Sequence, residues 1–323
     1  GGKDMKAVVI GGSGRIGSYL VPRLVKAEYE VINVSRGKRE PVKKSSAWNE
    51  VEQIVLNRCC EEENGVFGKK IAALNPDIVV DLINDKVEST YQMVEALRYT
   101  NISHYLFNAT IWVHGHATCV PATEDLPRHP LENYGINKAA SEAYLHQQYR
   151  QGGIPETVIM PGHLTGPGWT CINPAGNLDP LVFQKIGRGE EIALPNLGME
   201  TVHHAHADDV AQVFMNAIIY RGQALGESFH ATAPYAMTLR GFAEEMYRWF
   251  GHEPKIKYLP WKEWCEYTAV ECYINSTWSH LTHSDNYSIE KARRLIHYQP
   301  RYTIIQAVEE CVTSMLERGV ITL

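Results

Sequence analysis

The sequence lacks any apolar run approaching the roughly 18 residues that a membrane-crossing helix requires, so no part of its 323 residues reads as a span. No C-x-x-C pair occurs among its seven cysteines, and the adjacent Cys59-Cys60 is a poor seed for a disulfide framework, as in a reducing compartment. Positive charge is not in excess. With 31 Lys and Arg against 37 Asp and Glu, the net charge is −6 with both signs interspersed, which disfavours nucleic acid and anionic lipid as partners. Gly1-Gly2-Lys3-Asp4 carries no apolar stretch of the secretory kind, and a cytoplasmic location is expected. No low-complexity tract, repeat or Gly/Ser linker interrupts the chain, so any lobes must pack directly on one another.

The first half alternates by type. Apolar runs at 6–10, 30–34, 78–83, 105–108 and 157–160 read as strands, separated by helical patterns at about 16–26 (interrupted by Pro22), 88–99 and 135–151. Strands that are continuously apolar, rather than alternating, describe a parallel sheet covered on both faces. The expected fold is α/β: a doubly wound parallel sheet of Rossmann type with a smaller C-terminal α+β lobe. From about Gly166 prolines and aromatics multiply, but a helix at 207–220 and a strand at 227–231 return to the sheet. Residues 1–165 and 200–231 are therefore assigned to the sheet domain, and 166–199 and 232–323 to a substrate lobe.

Gly11-Gly12-Ser13-Gly14-Arg15-Ile16-Gly17 follows the first strand and opens the first helix. Glycines with the spacing G-x-x-G-x-x-G let the backbone turn sharply and approach a pyrophosphate, whose charge meets the helix N-terminus. That context points to a dinucleotide. After the second strand, where an NAD-preferring site places a carboxylate for the ribose 2′-hydroxyl, the chain has Ser35-Arg36-Gly37-Lys38-Arg39. Three cations and no carboxylate favour a 2′-phosphate, hence NADP, with NAD as the alternative.

Tyr134 and Lys138 form Y-x-x-x-K, which on a helix puts both side chains on one face. The spacing occurs three times where about 0.8 is expected by chance. Tyr258…Lys262 contains Pro260, and Tyr287…Lys291 lies near the C-terminus, far from the sheet edge where ligands bind. Tyr134 opens a helix between two strands of the sheet, which selects it.

At these residues the chain resembles the extended short-chain dehydrogenases/reductases of the NAD(P)-dependent epimerase/dehydratase group, over nearly its whole length. Ala109-Thr110-Ile111-Trp112-Val113-His114-Gly115 is similar to the group's S-S-x-x-V-Y-G, Met160-Pro161-Gly162-His163 through Gly168 to its R-P-x-x-x-x-G-P-G, and Val202 through Ala211 to its F-V-H-V-x-D-V-A. Ser288-Ile289-Glu290-Lys291-Ala292-Arg293 and Tyr298-Gln299-Pro300 resemble its closing segment. The resemblance implies an enzyme with Thr110, Tyr134 and Lys138 as catalytic set. It implies cofactor contacts from Gly11, Gly14, Arg15, Ile16, Gly17, Ser35, Arg36, Leu82, Ile83, Lys138, Pro161, Gly162 and His163, substrate contacts from Trp112 and His114, no metal, and a homodimer through the helices at 88–99 and 135–151. Leu97, Ala140, Ala143 and Tyr144 are candidates for that contact. Three departures stand out: His114 for the usual Tyr, Met160 for the usual Arg, and Asn57-Arg58-Cys59-Cys60 where an Asp is common beside the adenine.

The chemistry follows from the residues. Hydride transfer at a carbinol or carbonyl requires a proton to move at the same oxygen, and a phenol with a pKa near 10 is a poor base at neutral pH. Lys138, with the positive charge of an oxidised nicotinamide, would favour the phenolate of Tyr134, while Thr110 bonds the substrate oxygen or else caps the backbone. The expected activity is oxidation or epimerisation of a carbohydrate-like substrate, including a nucleotide sugar. The alternatives are NADPH-dependent carbonyl reduction and a non-catalytic dinucleotide-binding or RNA-associated regulator. His203, His204 and His206 have no cysteine nearby to complete a familiar metal spacing, and Asp208 or Asp209 is expected to cap the helix that follows. Trp249, Trp261, Trp264 and Trp278 read as lobe core or as a sugar-stacking wall.

Overall fold

Alternation within the apolar strands decides which helices cover which face of the sheet. The computed structural model describes residues 5–323, so the Gly1 to Asp4 segment considered above lies outside the described residues. Seven parallel strands form one sheet: β1 (Lys6–Ile10), β2 (Glu30–Ser35), β3 (Glu52–Val55), β4 (Ile78–Asp81), β5 (His104–Asn108), β6 (Glu156–Pro161) and β7 (Ser228–Ala231), in the order β7-β6-β5-β4-β1-β2-β3. Ala7, Val9, Val80 and Ile159 face one side with Leu20, Leu24 and Phe214; Val8, Ile10, Val79 and Phe107 face the other with Met93, Val94 and Leu145. Both faces are covered, so β1 and β4 carry no polar side chain before Asp81 beyond Lys6 at the start.

Strand order reverses between β1 and β4; at Ile10, β1 is opposite Val34 of β2 on one side and Asp81 of β4 on the other. Above that reversal the carboxyl ends diverge and leave a crevice. The first helix, Gly17–Lys26, runs unbroken through Pro22, contrary to the expected interruption. The bond that Pro22 cannot donate would go to Ser18, in the helix's opening turn, so the loss falls at an end rather than mid-helix.

Beyond Gly166 a separate apolar cluster gathers Phe183, Leu194, Phe242, Tyr247, Trp264 and Val312. Parallel pairs join Ile192–Pro195 to Ile256–Leu259 and His163–Thr165 to His204–His206, and an antiparallel pair joins Thr201–Val202 to Met237–Thr238. Among the four tryptophans, Trp264 is core and donates Nε1–H to Ala193 O, whereas Trp278 and Trp249 are exposed. Among the described residues no helix is long and apolar enough to cross a membrane, and all seven cysteines are free.

One buried ion pair ties β4 to the segment after β3. Arg58 turns inward, with Nη1 and Nη2 at 2.6 and 3.1 Å from the Asp81 carboxylate, which also accepts the Tyr105 hydroxyl at 2.6 Å. Burial alone would raise the Asp81 pKa, but Arg58 and then Tyr105 hold it below the usual carboxylate range. Its stabilising contribution is therefore fully present above the unfolded carboxyl pKa of about 4 and is lost as pH falls through the lowered native value. Asp81→Asn leaves Arg58 buried without its counter-ion and is expected to cost about 3–5 kcal/mol at neutral pH. Urea denaturation at pH 7 and pH 3 checks this: the deficit should shrink at the lower pH, and an equal deficit at both would contradict it.

Candidate active site

The glycine-rich turn is held open by its own geometry. Gly11 has φ +84°, and a Cβ there would lie 2.6 Å from Ile83 Cγ2; a Cβ at Gly17 would collide with the Gly12 backbone. Asn33, buried in β2, clamps the turn: its Oδ1 accepts the Gly12 N–H at 2.8 Å and its Nδ2 donates to Ser13 Oγ at 3.0 Å. Sequence reading passed over Asn33, although an amide inside the apolar run of β2 was the available signal. The helix that follows begins without a side-chain cap, its Ser18 N–H bonding back to Gly14 O within the turn.

Gly11, Ser13, Gly14, Ser35, Arg36, Gly37, Lys38, Arg39 and Ile83 line one cavity of about 170 Å³. Ser35 Oγ accepts the Gly37 N–H at 3.1 Å, which shapes the basic turn. Arg15 places its guanidinium 5.0 Å from the Trp169 ring centre, and its pKa is lowered by burial and then by nearby Arg39. Among the described residues no carboxylate lies within ion-pair distance of Arg15, Arg36, Lys38 or Arg39. Ile16 buries its side chain in the core, and Leu82 packs against the same core while its N–H donates to Ile10 O, so neither offers its side chain to the crevice. A cradle that a Cβ would fill, a helix N-terminus and unpaired cations together fit a dinucleotide.

Lys138 stands at the carboxyl ends of β4 and β5. The helix Asn133–Arg150 carries it almost fully buried, and its ammonium donates to Asn84 O at 2.7 Å and Asn108 O at 2.6 Å, with Asp85 Oδ1 at 3.3 Å. Burial pulls its pKa down against Asp85 and Asp81. Tyr134, one turn earlier, is half exposed, and the ammonium lies 5.6 Å from its ring centre. Its phenol is pushed up to about 12 by desolvation and then by Asp85. The expected lowering by Lys138 is not what the protein alone provides: the cation is spent on two carbonyls, and Asp85 opposes the phenolate. Thr110 is buried beyond β5 and its Oγ1 accepts the Trp112 N–H at 3.2 Å, capping a 3₁₀ turn while its own O–H stays free to donate.

The substrate-side residues divide. Trp112 is half-buried, donates Nε1–H to Asp285 Oδ2 at 3.1 Å and stacks on His283 with ring centres 4.1 Å apart. His114 turns away into the protein, where its Nε2 meets His230 Nε2 at 2.8 Å and its Nδ1 lies 3.4 Å from Pro127 O; burial pushes its pKa down to about 3. With both ring nitrogens engaged it packs behind the site, and the expectation of a direct substrate contact is corrected. Gly162 and His163 spend their N–H groups on Ala231 O and His203 O, so only the His163 side chain remains available there. Asp285, invisible in the sequence because it lies far along the chain, collects Trp112 and His163.

The histidines before the helix Ala207–Ile219 have structural partners: His203 with Ala233 O, His204 with Ile172 O and His206 with Glu310. His206, not Asp208 or Asp209, is the helix cap; its Nδ1 accepts the Asp208 N–H at 3.0 Å. Asp208 is instead drawn to Arg23, and Asp209 to the Arg301 and Tyr302 N–H groups. Among the unusual residues after β3, Asn57 caps a helix through the Cys60 N–H, and Arg58 belongs to the Asp81 pair.

A model of the NAD dependent epimerase/dehydratase family matches residues 7–229. The chain belongs to this family. Its curated relatives include the chloroplast stem-loop binding protein of 41 kDa b of Arabidopsis thaliana, 22% identical over 98% of this chain and 80% of that one, and UDP-glucose 4-epimerase of Mycolicibacterium smegmatis, 23% identical over 66% and 73%. Among solved structures, the UDP-glucuronic acid 4-epimerase of Bacillus cereus in complex with UDP-glucuronic acid and NAD superposes with a TM-score of 0.73 at 18% identity, covering 97% of this chain and all of that one. The family identifies this chain as an enzyme of the extended short-chain dehydrogenase type that uses a nicotinamide dinucleotide.

Lys138→Met preserves much of the side chain's volume but removes the cation that two main-chain carbonyls await. Dinucleotide affinity is expected to fall at least tenfold, about 1.4 kcal/mol. Fluorescence titration with NADPH and NADH measures it, and unchanged affinity for both would contradict the role of Lys138.

Proposed function

We propose that this enzyme transfers hydride between NADP and a carbon bearing a hydroxyl or carbonyl group in a carbohydrate-like substrate, including a nucleotide sugar. The observation that carries the reading is Lys138, buried at the sheet's carboxyl edge, bonded to Asn84 O and Asn108 O and one helical turn from the half-exposed Tyr134. Bound in the crevice, the nicotinamide supplies the hydride acceptor or donor and, when oxidised, a positive charge. Thr110, its oxygen already accepting from Trp112, donates its O–H to the substrate oxygen. Tyr134, a phenol in the free protein, gives its proton to that oxygen when a carbonyl is reduced; in the oxidation direction its phenolate, which Lys138 and the positive charge of an oxidised nicotinamide would favour, accepts the proton of the hydroxyl. Lys138 orients the ribose hydroxyls. In this reading residues 1–165 and 200–231 bind the dinucleotide, and 166–199 and 232–323 shape the substrate pocket.

The basic turn supports NADP over NAD, because Arg36, Lys38 and Arg39 share the cavity with the glycine turn. The helices Val87–Leu97 and Asn133–Arg150 support a homodimer: Tyr91 and Ala143 are exposed there, Tyr99 is exposed just past the first of them, and half-buried Tyr144 packs edge-on against Tyr91 at 4.6 Å. Leu97 is fully buried in the sheet core and does not belong to that face.

Tyr134→Phe keeps the ring and removes the proton, so turnover is expected to drop about 10²- to 10⁴-fold with dinucleotide affinity nearly intact; retention of more than a tenth of the rate would overturn the assignment. Arg36→Glu is expected to weaken NADP by on the order of 2–4 kcal/mol and NAD far less in calorimetric titration. Tighter binding of NAD than NADP by the wild type would refute the preference. Sedimentation at micromolar concentration should show a dimer; a monomer would remove that proposal.

A further inference from the structure

Imidazoles and an indole gather beyond the carboxyl end of β6. His163 follows Gly162, and its Nε2 lies 2.8 Å from Asp285 Oδ2. Asp285 is fully buried and also accepts Trp112 Nε1–H at 3.1 Å and the Tyr287 hydroxyl at 3.0 Å. Burial alone would raise its pKa, but the hydrogen bond from His163 leads the groups that bring it to about 2. An ionised acceptor requires the hydrogen on His163 Nε2. Nδ1 is left with no hydrogen-bond partner among the described residues.

His280, on the helix Glu271–His283, is locked in the opposite tautomer. Its Nδ1 donates to Gly176 O at 2.7 Å, which leaves Nε2 without a partner among the described residues. Burial pushes its pKa down to about 3, so the ring is neutral. The two rings stand nearly perpendicular with centres 4.9 Å apart, and both lie against Trp112, at 5.8 and 5.5 Å. The same Trp112 is anchored through its N–H to Thr110 Oγ1, which joins this wall to the residue that receives the reacting oxygen.

We propose that His163 and His280, flanking Trp112, form the subsite for the hydroxyl-bearing part of the substrate, each accepting an O–H hydrogen bond at its unpartnered ring nitrogen. Lone-pair nitrogens match donors; a phosphate oxygen, itself an acceptor, is not matched there. The indole, stacked on His283, adds apolar surface to the wall, which suits the C–H side of a sugar ring. Three arginines of the lobe are committed elsewhere, Arg188 to Thr322 and both Arg240 and Arg248 to Glu244. The subsite rests on the reading of Thr110 and Tyr134 as the hydride-transfer site.

Nitrogen-15 NMR of histidine-labelled protein saturated with NADP at pH 7 tests the proposal, with assignments from His163→Gln and His280→Gln. His163 is expected as the Nε2–H tautomer and His280 as the Nδ1–H tautomer. Their bare nitrogens should shift on addition of millimolar glucose or UDP-glucose, but not of UDP. Either ring in the other tautomer or doubly protonated, a shift with UDP alone, or silence toward both sugars would overturn it. The same titration on Tyr134→Phe separates the two readings: the shifts should persist there, whereas loss of turnover in that variant bears only on hydride transfer.

Discussion

A single buried ammonium sets the terms for the rest of the site. Moving a lysine charge out of water costs several kcal/mol unless strong acceptors surround it. Here the acceptors are main-chain carbonyls at the ends of two neighbouring strands, Asn84 after β4 and Asn108 at the end of β5. Lys138 can meet both only because the helix Asn133–Arg150 begins above the sheet's carboxyl edge, and that placement carries Tyr134 along one turn earlier. Thr110 lies two residues past Asn108, on the same edge. Sheet topology, helix entry and catalytic constellation are thus one arrangement.

Around that arrangement the protein distributes polarity unevenly. Basic side chains without carboxylate partners collect beside the glycine turn, at the end where a dinucleotide's phosphates fit. Imidazoles, an indole and one buried carboxylate collect past β6, where the C-terminal lobe meets the sheet. The first environment suits anions and the second suits hydroxyl groups. Asp285 ties the second environment to the sheet edge, since it fixes both His163 and Trp112, which lies in the turn capped by Thr110.

Much of this was legible before the structure. Continuous apolar strands announced a sheet covered on both faces, and the glycine spacing with Tyr134 and Lys138 pointed to the sheet's carboxyl edge as the candidate site. What could not be read was long-range pairing. The roles of Asn33, Arg58 and Asp285 depend on partners 20 to 173 residues away, and no local periodicity encodes them. His114 misled for a related reason: its position beyond Thr110 suggested the pocket, but the 3₁₀ turn rotates it toward His230, 116 residues on. The helix cap before Ala207 went to His206 because the aspartates found better partners in Arg23 and in the N–H groups near Arg301.

The central claim is that this crevice holds one nicotinamide dinucleotide with its reactive ring beside Tyr134 and Lys138. Native mass spectrometry of the purified protein with NADP and NAD added tests it most directly. The account predicts one dinucleotide per chain, with NADP displacing NAD when both are present at equal concentration. A chain that stays free of both at millimolar concentration would contradict it.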